Sequence, residues 1–208
     1  MKTILKAVAA CAIAVACVAP AAHAAVVSVT FAGAPIVVPN NIDGVYFNFV
    51  TGAITAAESS GYDFNPYNNG GGLTFYAPAS PSGIMATGTP GTLAQARVLS
   101  FGALISSAGQ FNQFQTRGDS FDITGQEYVG LRFLNETTGI LNYGWALMST
   151  TAGNGFPASV LGYGYENTGL SILAGQTATA SAVPEPASLA ILGLGLAGLA
   201  AARRRKAA

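Results

Sequence analysis

The chain has 208 residues, 50% of them hydrophobic and 9% charged, which gives room for one ordinary domain and targeting segments. Its nine basic and nine acidic residues are segregated, because six basic residues lie near the two ends while residues 25–182 hold three basic and eight acidic residues, a formal charge of −5. Since nucleic-acid affinity depends on many contacts to phosphate, this composition argues against a nucleic-acid partner.

The first 24 residues predict a cleaved secretory signal peptide. Two lysines, at positions 2 and 6, precede an apolar run over residues 7–19, which is too short to be a permanent membrane helix. Small side chains at Ala22 and Ala24 suit signal peptidase. We therefore expect cleavage before Ala25 and export across the inner membrane.

Cleavage at this point would remove all cysteines and the only histidine of the chain, which are Cys11, Cys17 and His23. The mature protein would then have no thiol nucleophile, no imidazole base, no disulfide and no Cys/His metal site, so Ser-His-Asp and Cys-His catalysis are excluded. Lipoprotein processing at Cys17 is a weaker alternative, because lipidated cysteines usually have leucine three residues earlier and this chain has Ala14 there.

Residues 25–176 predict a single, mainly β ectodomain. Short runs such as VVSVTF, VYFNFV and GLTFYAP are rich in β-branched and aromatic residues and are separated by Gly, Asn, Ser and Thr. The segment Thr92–Leu99 is ambiguous between a helix and a strand. Several short strands of this kind are typical of an antiparallel β-sandwich or jelly-roll-like domain.

Alternation of side chains is clearest in the late runs YVGLRFL, LNYGWALM and VLGYGYEN, with NETTG at Asn135–Gly139 as a turn. The pattern predicts an antiparallel meander with one buried face. The residues expected to share faces are Val129, Leu131 and Phe133 in the first run, Leu141, Tyr143, Trp145 and Leu147 in the second, and Leu161, Tyr163 and Tyr165 in the third. Trp145 is expected to pack in the core.

The sequence predicts no catalytic, cofactor-binding or metal-binding residue. Asp119 and Asp122 could flank a calcium ion, but acids in a turn more often cap it or face solvent. The two carboxylates of a glycosidase could come from Glu127, Glu136 and Glu166, yet Glu136 lies in the predicted turn and Glu166 ends a strand. Ordinary structural roles are favoured for all of these acids.

A glycine-rich loop is the best candidate for glycan binding. The run NPYNNGGG and the tyrosine before it bring together flat rings and amides, which are the groups that recognise sugars. The candidate residues are Tyr62, Asn65, Tyr67, Asn68 and Asn69.

The C-terminal region has three consecutive parts. The triplet Pro184, Glu185 and Pro186 is held extended by its prolines. Residues 187–202 are uncharged and would span about 24 Å as a helix, slightly short of a hydrocarbon core of about 30 Å. The basic cluster that follows should stay cytoplasmic and so place the ectodomain on the far side of the membrane; it consists of Arg203, Arg204, Arg205 and Lys206.

From Val183 to Lys206 the chain resembles the PEP-CTERM sorting signal of Gram-negative bacteria that make exopolysaccharide. The resemblance implies that exosortase, a membrane-embedded cysteine protease-transpeptidase, recognises and cuts this tail. Residues 177–182 are expected to form the linker between the ectodomain and the tail. The runs YVGLRF, NYGWALM, GYGYEN and ILAGQ, with residues 61–76, resemble the β-rich ectodomain common among PEP-CTERM proteins. That ectodomain brings no functional residues with it.

Three functional interpretations follow. The favoured one is a non-enzymatic exported protein without a cofactor. It would be anchored transiently in the inner membrane and then sorted to the cell surface or extracellular matrix, in connection with exopolysaccharide or biofilm. The second is a carbohydrate-binding module for exopolysaccharide, and the third is a glycan hydrolase that works through carboxylates alone.

Overall fold

The computed structural model describes residues 25–88, 95–116 and 125–178, and these residues form β-strands and no helix. The prediction of a mainly β protein is confirmed, whereas the predicted signal peptide and C-terminal helix lie outside the described residues. The strands are β1 (Val26–Thr30), β2 (Ile36–Val38), β3 (Tyr46–Phe47), β4 (Ile54–Thr55), β5 (Asn65–Asn68), β6 (Leu73–Tyr76), β7 (Gly83–Met85), β8 (Val98–Leu99), β9 (Leu104–Ile105), β10 (Phe111–Asn112), β11 (Phe114–Thr116), β12 (Gly125–Leu134), β13 (Leu141–Thr151), β14 (Gly155–Glu166) and β15 (Ile172–Leu173).

The largest sheet has the order β1-β14-β13-β12-β7-β10, with β2 also paired to β14 and β8 to β12. All of these pairings are antiparallel. The long strands β12, β13 and β14 form the predicted meander. The predicted turn after β12 is also present, because the backbone N–H of Asn135 donates to the carbonyl of Ile140 at 2.9 Å and its side chain accepts the N–H groups of Thr137 and Thr138.

A second layer covers one face of this sheet. It comprises the three-stranded sheet β11-β6-β5 and the hairpin β3–β4. Rings from the second layer, including Phe47, Phe49 and Phe75, pack in one core with Leu131, Phe133 and Tyr163 of the large sheet. Two antiparallel layers around a shared core are consistent with a β-sandwich-like fold.

The opposite face of the meander is also buried, so the prediction of one buried face is wrong. Tyr143 and Trp145 of β13 lie in a second core with Ile105 of β9 and Ile172 of β15, whose strands pair with each other. Alternation along β13 therefore separates two apolar cores, because Ala146 and Met148 pack on the other face. Because both faces of β13 are covered, apolar side chains occur at successive positions of this strand and not only at alternate ones.

A β-bulge changes the predicted face of one residue. The register of β13 against β14 pairs Leu147 with Gly162 but Met148 with Val160, so Leu161 is the extra residue. In consequence Val160 joins the core that contains Tyr163 and Tyr165, and Leu161 does not.

Two other predicted segments are shorter than expected. The run VYFNFV forms a strand only at Tyr46–Phe47, because the side chain of Asn48 accepts the N–H of Thr51 at 2.7 Å and turns the chain. In the ambiguous segment Thr92–Leu99, the described residues include β8, which favours the strand over the helix.

Glycines in the meander make room for Trp145. Gly164 lies opposite Trp145 on β14, and a Cβ built on Gly164 would lie 2.7 Å from the indole Cζ2. The indole cannot easily move aside, because its Nε1–H donates to the carbonyl of Gln176 at 3.1 Å. The alternation of tyrosine and glycine in β14 therefore serves both faces of the sheet. The tyrosines Tyr163 and Tyr165 pack in the first core, and Gly164 leaves room for the Trp145 ring on the other face.

We expect Gly164→Ala to lower the free energy of unfolding by about 1–3 kcal/mol, because the added methyl group overpacks the indole. Gly71→Ala is a matched control, since Gly71 is exposed and its added Cβ would meet only the side-chain oxygen of Asn69. Urea unfolding followed by circular dichroism measures both variants. Equal midpoints for the two variants would contradict this account of the packing.

Candidate functional site

An open cleft of about 530 Å³ lies beside the β12–β13 turn. Its walls are residues 58–63, which precede β5, residues 78–82, which lie between β6 and β7, and the side chains Leu134 and Glu136. We name this feature the acidic cleft, because Glu58, Asp63 and Glu136 all line it.

Asp63 is the most buried acid of the acidic cleft, with 3% of its surface exposed. Its Oδ2 accepts the backbone N–H of Phe49 at 2.7 Å, and its own N–H donates to the carbonyl of Phe47. Burial is the main cause that raises the pKa of Asp63 to about 8, and the Glu136 carboxylate raises it further, against the lowering effect of the Phe49 N–H. Asp63 is therefore largely protonated at neutral pH.

Oδ2 of Asp63 is occupied as an acceptor, which leaves Oδ1 available for another hydrogen bond. Among the described residues no group donates to Oδ1. Asp63 lines the acidic cleft with Glu58 and Glu136, and a protonated carboxyl can donate a hydrogen bond, which an ionised one cannot.

Glu136 is held in place by Asn48. The Asn48 Nδ2 donates to Oε1 of Glu136 and to the carbonyl of Gly61, both at 2.6 Å. Gly61 has a φ of +77°, which favours glycine, and a Cβ there would lie 3.0 Å from the Asn48 amide. This contact fixes the β12–β13 turn against the segment that carries Asp63.

The other walls of the acidic cleft are polar hydroxyls and small apolar side chains. Arg132 holds one wall, since its Nε–H donates to the carbonyl of Pro81 at 2.7 Å while its guanidinium lies over the Phe111 ring. The hydroxyl of Ser82 accepts the N–H of Leu134. A cleft with a donor acid, acceptor carboxylates and apolar patches is chemically suited to a neutral, hydroxyl-rich molecule.

The predicted glycan loop is largely used inside the protein. Asn65 is buried, and its amide donates to the carbonyls of Asp43 and Val45. Asn68 Oδ1 accepts the N–H groups of Gly70 and Gly72, which closes the β5–β6 turn, while its amide donates to Asn40. These amides therefore cap and brace the turn.

The candidate tyrosines do not present a free stacking platform at this loop. Tyr62 is 7% exposed, and its ring meets the Tyr46 ring edge-on at 5.1 Å between centroids. Burial, followed by the nearby Glu58 carboxylate, raises the pKa of Tyr62. Tyr67 is partly buried and Asn69 is exposed, with its Oδ1 bound to the N–H of Gly71. Tyr62 instead lines the acidic cleft.

The structure does not bring together the three glutamates considered for a glycosidase pair. Glu127 and the β12–β13 turn that carries Glu136 lie at opposite ends of the described strand, about 20 Å apart or more at ~3.3 Å per residue. Glu166 caps the loop after β14, because its carboxylate accepts from the N–H and hydroxyl of Thr168 and from the N–H of Leu170. Burial raises the pKa of Glu127, whose Oε2 has no hydrogen-bond partner among the described residues.

Asp63 and Asn48 are site residues that the sequence did not reveal. One signal was present, because Asp63 stands between two aromatic residues, Tyr62 and Phe64, immediately before the strand β5. In the structure this acid is buried and hydrogen-bonded, as a buried polar group must be.

The remaining predicted sites have no structural test. They lie outside the described residues and are Ala22, Ala24, Asp119, Asp122, the sorting triplet at 184–186 and the basic cluster at 203–206. Within the described ranges, no group of three or more acids, histidines or cysteines is arranged to hold a metal ion. No helix in those ranges is long and apolar enough to span a membrane.

Comparison with known proteins identifies one segment of the chain. Residues 182–206 match the family model of the PEP-CTERM protein-sorting motif. This match confirms the resemblance of the C-terminal segment to the sorting signal and indicates an exported, exosortase-sorted protein with a membrane anchor before processing. Searches of curated proteins and of solved structures gave no match.

The raised pKa of Asp63 predicts that the free energy of unfolding depends on pH. Its pKa is about 8 in the folded chain against 3.8 when exposed, so its contribution is fully present below about pH 4 and is lost as the pH rises through about 8. We expect the urea midpoint to fall between about pH 5 and pH 9. Asp63→Asn, which keeps an oxygen for the Phe49 N–H, should flatten this decline.

Asp43→Asn is the matched control, because Asp43 is an exposed acid. It should keep the decline of the unmodified protein. The same decline in Asp63→Asn would show that another group titrates.

Proposed function

We propose that this chain, which carries a PEP-CTERM sorting motif at residues 182–206, is a non-enzymatic exported protein of the cell surface or extracellular matrix. Signal peptidase would cut before Ala25, and exosortase would then process the tail. The protein would act in the exopolysaccharide or biofilm layer of a Gram-negative cell. The motif match is the observation that carries this proposal.

The chemistry of the tail supports sorting as its role. Proline disfavours a helix at its own position and at the residue before it, and an isolated acid next to an apolar run offers a single anionic group to a cationic enzyme pocket. The basic residues 203–206 favour the cytoplasmic side and fix the direction of insertion.

The separation of Glu127, Glu136 and Glu166 argues against the glycosidase pair considered from the sequence, and it does not bear on Asp63 and Glu136 of the acidic cleft. Without Cys and His in residues 25–208, hydrolysis would depend on acids. Glu166 is engaged as a loop cap by three donors, and Glu127 is far from the acidic cleft along β12.

A second candidate function is glycan binding in the acidic cleft. The observation that favours it is the pairing of a protonated acid, Asp63, with an acceptor carboxylate, Glu136, in one open concavity. Sugar hydroxyls both donate and accept hydrogen bonds, so the two groups are complementary to a vicinal diol. In this proposal the exopolysaccharide would bind the acidic cleft and not the NPYNNGGG loop.

Glu185→Ala should leave a longer, membrane-held precursor, because exosortase loses its anionic contact. Asp43→Ala, an exposed acid of the ectodomain, is the matched control and should be processed normally. Cell fractionation and mass spectrometry of both termini measure the outcome. Normal shortening and release of Glu185→Ala would overturn the sorting proposal.

Glycan binding predicts that the purified protein binds the exopolysaccharide of its own host and that Glu136→Gln weakens this binding about tenfold or more. Gln can still accept from Asn48, so the turn should remain folded. Asn69→Ala is the control and should bind normally, since Asn69 lies in the exposed β5–β6 turn.

Calorimetric titration measures binding, and an assay for new reducing ends runs beside it. Equal loss in the two variants, or no binding by the unmodified protein, would refute binding in the cleft. Release of reducing ends would refute the non-enzymatic proposal.

A further inference from the structure

Three exposed apolar side chains lie together where the described chain ends. Phe101, Leu104 and Leu173 are 76%, 56% and 43% exposed. We name these three residues the apolar patch.

Strand pairing holds the apolar patch together. Leu104 and Leu173 lie directly opposite each other on β9 and β15, while their neighbours Ile105 and Ile172 point into the second core. Leu104 and Leu173 therefore share the outer face of this small sheet.

Phe101 lies next to this pair. Its ring packs against Gly175, since a Cβ built there would lie 2.6 Å from ring atom Cδ2. The Gly102 N–H donates to the carbonyl of Ala174 at 2.9 Å, which ties the Phe101 segment to the end of β15.

The segments of the chain that carry the apolar patch contain no charged residue. Residues 98–116 and 167–178 contain no Asp, Glu, Lys or Arg, although residues 25–182 have a formal charge of −5. A surface formed from these segments can approach an apolar or anionic surface without desolvating a charge of its own.

The chain leaves the fold beside the apolar patch. Gln176 fixes this exit, because its side-chain oxygen accepts the N–H of Leu173 at 3.1 Å and its carbonyl accepts the indole N–H of Trp145. The hydroxyl of Ser28 also donates to the carbonyl of Thr177. From Ala178 to the start of the apolar run at Ala187 is a step of nine residues, which can span at most about 30 Å.

From this geometry we propose that the apolar patch contacts the non-cytoplasmic surface of the inner membrane while the tail is inserted in that membrane. This inference depends on the proposed function, because the inserted tail brings the domain to the membrane. A surface tethered within about 30 Å has a high effective concentration at the bilayer, so a small contact is enough.

The size of the patch favours lipid over a protein partner. A stable protein interface uses roughly 20–30 residues on each side. Three apolar side chains on segments that contain no charged residue suit the boundary between lipid headgroups and acyl chains. While docked, the domain would hold a fixed orientation relative to the sorting triplet.

The test uses the tail-containing chain, made in a host without exosortase and reconstituted in phosphatidylethanolamine–phosphatidylglycerol vesicles. Leu173→Cys provides one thiol for an environment-sensitive fluorophore, because signal cleavage removes both native cysteines. Brominated lipid should quench this label at least threefold more than a label on Ile42→Cys. Ile42 is the matched control, since it is 65% exposed and lies before β3.

A second pair of variants separates docking from folding. Phe101→Ser with Leu104→Ser should abolish quenching of the label at 173, whereas Val37→Ser with Ile42→Ser should preserve it. Circular dichroism checks that both are folded. Equal quenching at 42 and 173, or quenching that survives the loss of Phe101 and Leu104, would overturn the docking proposal.

Three further outcomes are distinguishable. A chain that does not float with the vesicles contradicts tail insertion, and the docking proposal fails with it. A chain that floats without quenching at 173 contradicts docking alone. Cross-linked dimers through position 173 would assign the apolar patch to a second copy and also overturn the proposal.

Discussion

The hydrogen bond from the backbone N–H of Phe49 to Asp63 connects the core with the acidic cleft. The Phe49 ring stacks on Tyr163 at 4.4 Å between centroids and meets Phe133 edge-on at 5.6 Å, so it joins the second layer to the large sheet. Its backbone lies after β3, where the chain turns at Asn48, and Asp63 supplies the acceptor that this N–H needs. Burying the acid raises its pKa to about 8, and the same burial places a donor carboxyl at the cleft. Core packing and cleft chemistry therefore depend on one contact.

The second core connects the ectodomain to its tail. Trp145 fits above Gly164, packs edge-on against Tyr128 at 5.5 Å between centroids, and binds the carbonyl of Gln176. The exit of the chain is thus attached to the middle of the large sheet.

The short polar side chains of the second layer serve mainly to shape the chain. Asn48, Asn65 and Asn68 satisfy backbone groups in turns that have few regular ladder bonds. Residues 25–178 contain no cysteine and so no disulfide, and such bonds are needed because short strands leave many backbone groups unpaired. Amides that look free in a glycine-rich sequence are consequently poor guides to a binding surface, and the concavity lies at the other end of the β5–β6 hairpin from the glycine-rich turn, at Asp63 and Glu136.

The sequence by itself determined the β class, the long meander, the turn after β12 and the sorting motif, because each depends on local signals: alternation of side chains, turn residues and an ordered linear pattern. Only the tertiary structure decided which faces are covered and which acids meet. The alternation in β13 does not say that β9 and β15 will cover its second face, and a bulge at Leu161 shifts the faces of β14 by one residue. Asp63 and Glu136 are 73 positions apart in the chain, and their proximity arises from how the β12–β13 turn packs on the segment before β5. Such long-range contacts leave no periodic trace in a single sequence, because burial and the pKa of a carboxyl depend on neighbours that only the folded chain brings together.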